Sequence, residues 1–355
     1  MSKTLPFANL KVPVPGFGLM SLSKVYGPEP AADISLQTLA KAVEMGCTFW
    51  DTAVAYGNGQ NESLVGEFFK KSGTREKVFI ASKCGFNSGI HCGTELGGSV
   101  EHLHRAFSLT STIQVIGEGA DRSVTNSASH INSYIEGTKE RLGSYPDLYY
   151  LHRIDPKTPL GESIGALAKL KAAGKCKYIG LSECSPETLR KACAIAHIDA
   201  LQVEYSAWCT DYEENGLLDT ARELGVAVIA FSPLGVGILS GKYRSPKDFG
   251  EDDIRRLLPR FSEENMPKNL RIVDEFNRLA EKKGCTSSQL ALAWVIAQGA
   301  IPIPGTHRAE RLEENFGARN VTLDEEELKE LRKLVNEAKP EGARWPEFIL
   351  DKMNK

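Results

Sequence analysis

The chain has 355 residues, of which 41% are hydrophobic and 25% are charged, an ordinary globular composition. Its net charge of −3 gives no electrostatic argument for nucleic acid or for an anionic membrane surface. No apolar run reaches the roughly 18 residues of a membrane span, and the amino terminus does not resemble a signal peptide. The eight cysteines are scattered without a Cys-x-x-Cys pair, which favours reduced thiols in a cytoplasmic protein.

Short β-like runs alternate with helix-like stretches along most of the chain. Apolar runs predict strands at 11–19, 47–51, 77–83, 147–152, 177–182, 200–206, 226–232 and 300–305, the first of them preceded by a hairpin. Helical spacing predicts helices at 33–46, 61–71, 130–142, 160–173, 186–196, 215–224, 269–283, 287–298, 308–316 and 324–338. Asp33 is a candidate N-cap of the first helix. Ser185 and Pro186 fit the cap and first turn of the fifth.

The alternation predicts the fold class. Eight β-runs, each followed by at least one helix, favour a closed (β/α)8 TIM barrel with a short amino-terminal hairpin and a carboxy-terminal helix and tail. Continuous apolar strands are typical of sheets that are buried on both faces. A doubly wound open sheet is the alternative. Because no interdomain linker or internal repeat is apparent, residues 1–355 are expected to form a single domain.

Four ionisable side chains lie at or just past the ends of three neighbouring predicted strands: Asp51, Tyr56, Lys83 and His152. In a barrel these strand ends meet at one mouth, where catalytic groups lie. The Lys83 ammonium would lower the pKa of the Tyr56 phenol, and Asp51 could pair with Lys83. His152 could hydrogen-bond the reacting oxygen. The set suits protonation of a carbonyl oxygen as a hydride arrives at carbon. Each residue alone would more often be structural, but their joint placement favours a site.

Several longer segments resemble a known family. They are WDTAVAYGNGQNESLVGEF, FIASK, DLYYLHRIDPKTPL, KYIGLSECS, FSPLGVGILSGKY and IPIPGTHRAERLEEN. In this order they are similar to aldo-keto reductases, above all to the microbial and plant branch with pyridoxal reductase-like and perakine reductase-like enzymes. The resemblance implies a barrel that uses NADPH/NADP+ to reduce an aldehyde or ketone. It makes Tyr56 the proton donor, with Lys83 lowering its pKa, Asp51 pairing with Lys83, and His152 positioning the carbonyl.

The candidate cofactor residues near the nicotinamide follow the later strands. Ser182 and Gln202 are expected at strand ends, where they could hydrogen-bond the nicotinamide carboxamide. Phe231 could stack on the ring, although it could equally be a core aromatic. The backbone of the next loop could approach the pyrophosphate at Ser232, Leu234 and Gly235. The glycine spacing of 235–241 differs from the GxGxxG dinucleotide motif and argues against a Rossmann domain.

The remaining candidate cofactor residues are expected at the start of the helix predicted at 308–316: Thr306, Arg308, Arg311, Glu314 and Asn315. A helix N-terminus favours anions, and arginine binds phosphate oxygens through a fork of donors. The resemblance implies that the 2′-phosphate of NADPH binds at this helix start, with Glu314 and Asn315 toward the adenine. Taken alone, the stretch would favour a solvated basic helix start.

One segment departs from the family pattern. Residues 93–130 form an unusually long loop or insertion after Lys83, and loops of this length are often functional or disordered. A substrate lid, an ordered insert, a flexible segment and a gene-model error are the alternatives. Four possible metal ligands lie in this part of the chain: His91, Cys92, His102 and His104. Their spacings fit no common zinc signature, so no metal site is predicted.

The carboxy-terminal tail and the partners are less determined. Residues 340–355, with Trp345 and Phe348, either fold over the substrate pocket or pack against the side of the barrel. The favoured function is NADPH-dependent reduction of a small-molecule aldehyde or ketone, such as pyridoxal or a secondary metabolite. The alternatives are an NADPH-binding regulatory protein with slow turnover, similar to potassium-channel β subunits, and an enzyme whose turnover is impaired by the 93–130 insertion. We expect a monomer or weak homo-oligomer with no nucleic-acid or membrane partner.

Overall fold

The strands form a hairpin and a parallel sheet. The computed structural model describes residues 3–23, 30–86, 123–251 and 253–346. The hairpin pairs β1 (Thr4–Phe7) with β2 (Leu10–Pro13). The parallel strands are β3 (Phe17–Gly18), β4 (Phe49–Asp51), β5 (Phe79–Cys84), β6 (Leu148–Leu151), β7 (Tyr178–Ser182), β8 (Ala200–Glu204), β9 (Ala227–Phe231) and β10 (Ile301–Pro302). Each of these strands pairs with its neighbour in chain order, from β3 to β10.

Two glycines close the barrel. Gly18 in β3 forms a parallel bridge with Gly305, just after β10. A Cβ atom on Gly18 would lie only 2.6 Å from the carbonyl oxygen of Ile303, so the two strand segments approach more closely than a side chain allows. The (β/α)8 barrel is therefore confirmed, and the doubly wound open sheet was the wrong alternative.

The helices surround the barrel and begin and end close to the predicted positions. They are α1 (Ala32–Met45), α2 (Gln60–Ser72), α3 (Ala128–Leu142), α4 (Leu160–Ala172), α5 (Pro186–Ile195), α6 (Asp211–Glu214), α7 (Leu217–Glu223), α8 (Met266–Lys283), α9 (Ser287–Ala297), α10 (Ala309–Gly317) and α11 (Glu325–Glu337). Ser185 caps α5 as predicted, since its hydroxyl accepts a hydrogen bond from the backbone N–H of Thr188. Among the described residues, no helix combines the length and apolar character needed to cross a bilayer.

Three local predictions were wrong. Ala31, not Asp33, occupies the N-cap of α1, and Asp33 lies in the first turn, where a carboxylate still suits the helix dipole. The strand predicted at 11–19 is divided, because β2 ends at Pro13 and only 17–18 joins the barrel; Pro15, between them, has no N–H to donate. The helix predicted from 130 begins two residues earlier, after the Ser127 cap. Residues 128–130 of the predicted long loop are therefore helical, whereas 93–122 lie outside the described residues.

The hairpin closes the amino-terminal end of the barrel. Phe7 is fully buried, and its ring centroid lies 5.8 Å from that of Phe49 and 5.2 Å from those of Phe79 and Tyr178. Such tilted and edge-on contacts are favourable aromatic geometries. This packing fills the amino-terminal end and leaves the carboxyl ends of the strands as the mouth where polar side chains gather.

Candidate active site

A buried lysine is the centre of the polar cluster at this mouth. Lys83, near the end of β5, is fully buried, and its ammonium donates to three oxygens. It contacts the Asp51 carboxylate, the Thr52 carbonyl at 2.9 Å and the Tyr56 hydroxyl at 2.9 Å. An ammonium group has three donors, so all three are used. Three of the four predicted catalytic residues therefore meet in one contact group.

Both carboxylate oxygens of Asp51 accept hydrogen bonds. One oxygen accepts from Lys83, and the other accepts from the side-chain amide of Gln202 at 2.7 Å. Gln202 lies within β8, two residues before the strand ends, and not at the strand end as predicted. One N–H of its amide group donates to Asp51, which leaves the second N–H and the amide oxygen for other partners. The assignment of Gln202 to the cofactor stays a prediction.

The start of α2 anchors the loop that carries Tyr56. The Asn61 amide donates to the Leu19 carbonyl at 2.9 Å and to the Ser23 hydroxyl at 2.8 Å. Its amide oxygen accepts from the Thr52 hydroxyl at 2.6 Å. Asn61 is buried and ties the chain on both sides of β4 together. Asn61 lies inside the motif WDTAVAYGNGQNESLVGEF, but no local sequence pattern marks it as an anchor.

His152 follows β6 and faces Tyr56. Its backbone N–H donates to the Cys84 carbonyl at 2.7 Å. Its ring lies edge-on to the ring of Tyr56, with centroids 6.0 Å apart, and packs against Phe86 at 4.8 Å. The Nδ1 atom is buried and has no hydrogen-bond partner in the described part of the chain. A buried polar atom of this kind usually has a partner, so its position is consistent with a site that a ligand completes.

The charges around the mouth set the protonation states. Burial lowers the pKa of His152 well below its ordinary value of 6.5, and the positive charges of Lys83 and Arg153 add to this effect, so the ring is neutral near pH 7. Burial alone would lower the pKa of Lys83, but the contacts with Asp51 and Tyr56 outweigh it and raise that pKa.

Two opposing influences set the pKa of Tyr56. Burial raises it above the ordinary value of 10, while the positive charge of Lys83 acts in the opposite direction, as predicted, without overcoming the burial. Lys83 therefore acts in the predicted direction, and burial makes the net shift upward. The phenol is protonated at neutral pH, which is the form that a proton donor needs.

The candidate nicotinamide residues lie at the same mouth. Ser182 ends β7 and is buried, and Phe231 ends β9 with a half-buried ring. Ser232 and Gly235, in the loop after β9, both have left-handed backbone angles, with φ of 47° and 57°. A Cβ atom on Gly235 would lie 2.8 Å from the Trp208 ring, so this turn requires glycine. Leu234 is partly buried in the same turn and packs against the core.

The candidate phosphate residues lie at the start of α10. Arg308 is the N-cap residue, and its backbone N–H donates to the buried Thr306 hydroxyl at 3.1 Å. Arg311 is exposed and pairs with Glu314, whereas Asn315 is buried. Burial lowers the pKa of His307, and the positive charges of two nearby residues, Arg308 and Lys242, lower it further. Lys242, from the loop after β9, therefore joins this basic group, and no sequence pattern near it indicates this.

No metal site is found in the part of the chain that the structure describes. None of the described His, Cys, Asp and Glu residues form a group of three or more that could hold an ion. The four possible ligands noted in the sequence (His91, Cys92, His102 and His104) lie outside the described residues. Seven cysteines lie within the described ranges, and all of them are free thiols.

Comparisons with known proteins identify the family of the chain. The chain matches the aldo/keto reductase family over residues 16–336. It is 51% identical over 357 residues to an aldo-keto reductase of Gibberella moniliformis, with all of both chains covered. It is 39% identical over 348 residues to the aldo-keto reductase yakc of Schizosaccharomyces pombe, whose name specifies NADP(+), covering 97% of this chain and 94% of that relative.

Solved structures agree on the fold. The glycerol dehydrogenase from Gluconobacter oxydans has a TM-score of 0.80 and 24% identity, with 96% of this chain and 97% of that chain covered. At that identity the likeness concerns the fold alone. The family match and the two sequence relatives go further, and they confirm the resemblance inferred from the motifs. The chain belongs to the aldo/keto reductase family and is an oxidoreductase.

Proposed function

We propose that this protein is an NADPH-dependent reductase of small-molecule aldehydes or ketones, with Tyr56 as the proton donor. The observation that carries the proposal is the contact group at the barrel mouth. The Tyr56 hydroxyl lies 2.9 Å from the buried Lys83 ammonium, which in turn contacts Asp51. The neutral ring of His152 lies beside the Tyr56 ring.

Each of these side chains has a distinct role in the proposal. The protonated Tyr56 phenol donates its proton to the carbonyl oxygen, and the phenolate left behind lies against the Lys83 ammonium, which stabilises its charge. Asp51 and the Thr52 carbonyl hold Lys83 in place through its other two donors. His152, as a neutral ring, donates a hydrogen bond that orients the carbonyl oxygen.

The residues present fit NADPH as the cofactor. When bound, NADPH supplies the hydride that reduces the carbonyl carbon. The basic group at the start of α10 offers backbone N–H donors and the side chains of Arg308 and Lys242, which suit phosphate oxygens. Thr306, Arg311, Glu314 and Asn315 complete this end of the site. The nicotinamide end of the site is formed by Ser182, the Gln202 amide oxygen and the Phe231 ring. The turn at Ser232, Leu234 and Gly235 follows Phe231 and is assigned to the pyrophosphate.

The test is a comparison of wild type with Tyr56→Phe. The loss of NADPH absorbance is followed with a panel of aldehydes and ketones that includes pyridoxal. Removing a positioned proton donor is expected to lower kcat by about 10²–10⁴-fold, because general acid catalysis contributes a factor of this size. NADPH affinity should change little, since the hydroxyl is assigned to the carbonyl and not to the cofactor.

Two outcomes would contradict the proposal. Equal turnover by Tyr56→Phe would remove Tyr56 from the role of proton donor. Tight NADPH binding with no wild-type turnover across the panel would point to the regulatory alternative, in which the cofactor is bound and not used.

A further inference from the structure

An arginine from the carboxy-terminal segment, residues 338–346, reaches the barrel mouth. Arg344 follows α11, and its guanidinium contacts the carboxylates of Glu183, just after β7, and Glu204, at the end of β8. The side chains of both glutamates are nearly inaccessible, at 3% and 4% exposure, and that of Arg344 is 16% exposed. Ion pairs this buried are costly to break, because the remaining charge loses its partner away from water.

The contacts of Arg344 lead to the candidate catalytic residues. Glu183 also accepts from the guanidinium of Arg153 at 2.7 Å. Arg153 in turn donates to the backbone carbonyl of His152 at 2.6 Å and to the hydroxyl of Ser182 at 3.3 Å. A continuous series of charged hydrogen bonds therefore joins the carboxy-terminal segment to the candidate acid-base and nicotinamide residues.

The backbone at Glu183 needs such support. Its φ is +46°, a left-handed angle that residues with a side chain rarely adopt. Its backbone N–H donates to the Gln202 carbonyl at 3.0 Å, and the Tyr212 hydroxyl donates to its carboxylate at 3.1 Å. Unfavourable backbone angles persist where the surroundings over-determine them, and they gather at functional sites. Arg344 is one of the groups that fix this angle.

Arg344 also lies close to the ring proposed to stack on the nicotinamide. Its guanidinium carbon is 5.8 Å from the centroid of the Phe231 ring, within the range of a cation–π contact. The same side chain therefore contacts the loop after β7, the end of β8 and the end of β9.

We propose that Arg344 is a positioning residue for the cofactor, and that the carboxy-terminal segment completes the nicotinamide end of the site through it. By pairing with Glu183 and Glu204, Arg344 holds Ser182 and Phe231 in the arrangement that binds NADPH. The inference rests on the proposed function, because it assigns Arg344 to the site for that cofactor.

The first experiment compares Arg344→Met with Lys339→Met. Lys339 pairs with Glu214 and lies in the same segment, but its side chain is 66% exposed, so it is a matched control. NADPH affinity is measured by the change in NADPH fluorescence, with no carbonyl substrate present. We expect the Kd of Arg344→Met to rise at least about tenfold, a change that corresponds to about 1.4 kcal/mol. The Kd of Lys339→Met should stay within about twofold of wild type, as expected when an exposed ion pair is lost.

A double variant separates positioning from folding. Arg344→Met leaves Glu204 as a buried charge, which should lower Tm by itself. Adding Glu204→Gln removes that charge. We expect the double variant to regain much of the lost Tm while its NADPH Kd stays raised, because the contacts of Arg344 with Glu183 and Phe231 are still absent.

The outcomes are distinguishable from one another. Recovery of both Tm and NADPH affinity in the double variant would reduce Arg344 to a structural role and overturn the inference. Wild-type NADPH affinity in folded Arg344→Met would overturn it as well. If the wild type itself fails to bind NADPH, the proposed function fails, and the inference fails with it.

Discussion

Replacing Lys83 by methionine tests the contact group at the barrel mouth most directly. Methionine has a similar length and no charge, so the change removes the ammonium without opening a large cavity. Asp51 then keeps only its hydrogen bond from Gln202, at 2.7 Å. The Tyr56 hydroxyl and the Thr52 carbonyl lose the donor that lies 2.9 Å from each of them.

The structure sets the size of the effect. Lys83 and Asp51 are buried side chains, with exposures of 0% and 2%. Removing one partner of a buried ion pair costs about 3–5 kcal/mol of unfolding free energy, because the other charge stays buried and unpaired. A domain has about 5–15 kcal/mol in total, so the variant should fold with a much smaller margin. Its Tm should fall by roughly 5–15 °C.

The loss should depend on pH in a definite direction. Burial raises the pKa of Asp51, and Lys83 opposes that rise in the wild type. Without Lys83 the opposition disappears and the carboxyl binds its proton more readily when folded than when unfolded. A raised folded pKa stabilises the protein at low pH, and this contribution is lost as pH rises. The difference in unfolding free energy between wild type and Lys83→Met should therefore be smallest near pH 4, around the ordinary pKa of aspartate. The difference should grow as the pH rises above that value.

Chemical denaturation at a series of pH values measures this loss, and two further variants complete the test. Lys71→Met removes an exposed lysine that pairs with Glu67, and it should cost about 0–1 kcal/mol. Asp51→Asn combined with Lys83→Met should recover part of the stability but none of the reductase activity. A Lys83→Met variant as stable as wild type, or a double variant less stable than the single one, would refute the unpaired buried charge as the cause.

Two other features of the fold give predictions of defined sign. Because the pKa of His152 is lowered in the folded protein, wild type should lose unfolding free energy relative to His152→Gln as the pH falls below about 6.5. Urea denaturation at several pH values measures this difference. A difference of the opposite sign would contradict the prediction. Gly18→Ala should destabilise by about 1–3 kcal/mol or more, because its Cβ would lie 2.6 Å from a backbone oxygen. Gly165→Ala, in α4 with open space around it, should be stabilising by about 0.5–1 kcal/mol. In thermal melts, Gly18→Ala should have a lower Tm than wild type and Gly165→Ala a higher one.

The sequence predicted the barrel and the positions of its reactive groups for one physical reason. Strands buried on both faces appear as apolar runs, and parallel strands place their carboxyl ends at one mouth. A polar residue that interrupts such a run at its end must therefore lie at that mouth. Asp51, Lys83 and His152 satisfy this rule, and the structure brings them together with Tyr56.

Other features depend on contacts that no local pattern contains. Arg344 pairs with Glu183 across 161 positions of sequence, and nothing in the spacing of the tail indicates where it docks. The net pKa shift of Tyr56 depends on how deeply the phenol is buried, whereas the motif reveals only its charged neighbour. Gln202 was predicted at a strand end as a cofactor residue, but it lies within its strand, and its contact with Asp51 appears only once the barrel closes.

The long segment after β5 can be related to the site through its ends. Phe86 forms an antiparallel bridge with Val124, and the Thr125 N–H donates to the Gly85 carbonyl at 2.8 Å. The chain therefore leaves and re-enters the described structure at one point, where the Phe86 ring lies 4.8 Å from that of His152.

Asp51 ends β4, Lys83 lies near the end of β5, and Tyr56 lies in the loop after β4, where the three side chains form one contact group. These three side chains therefore hold one another through strand-end residues of the barrel. Reactive groups placed on strand ends in this way leave the loops of a barrel to determine the substrate, which is what allows one fold to support many reactions.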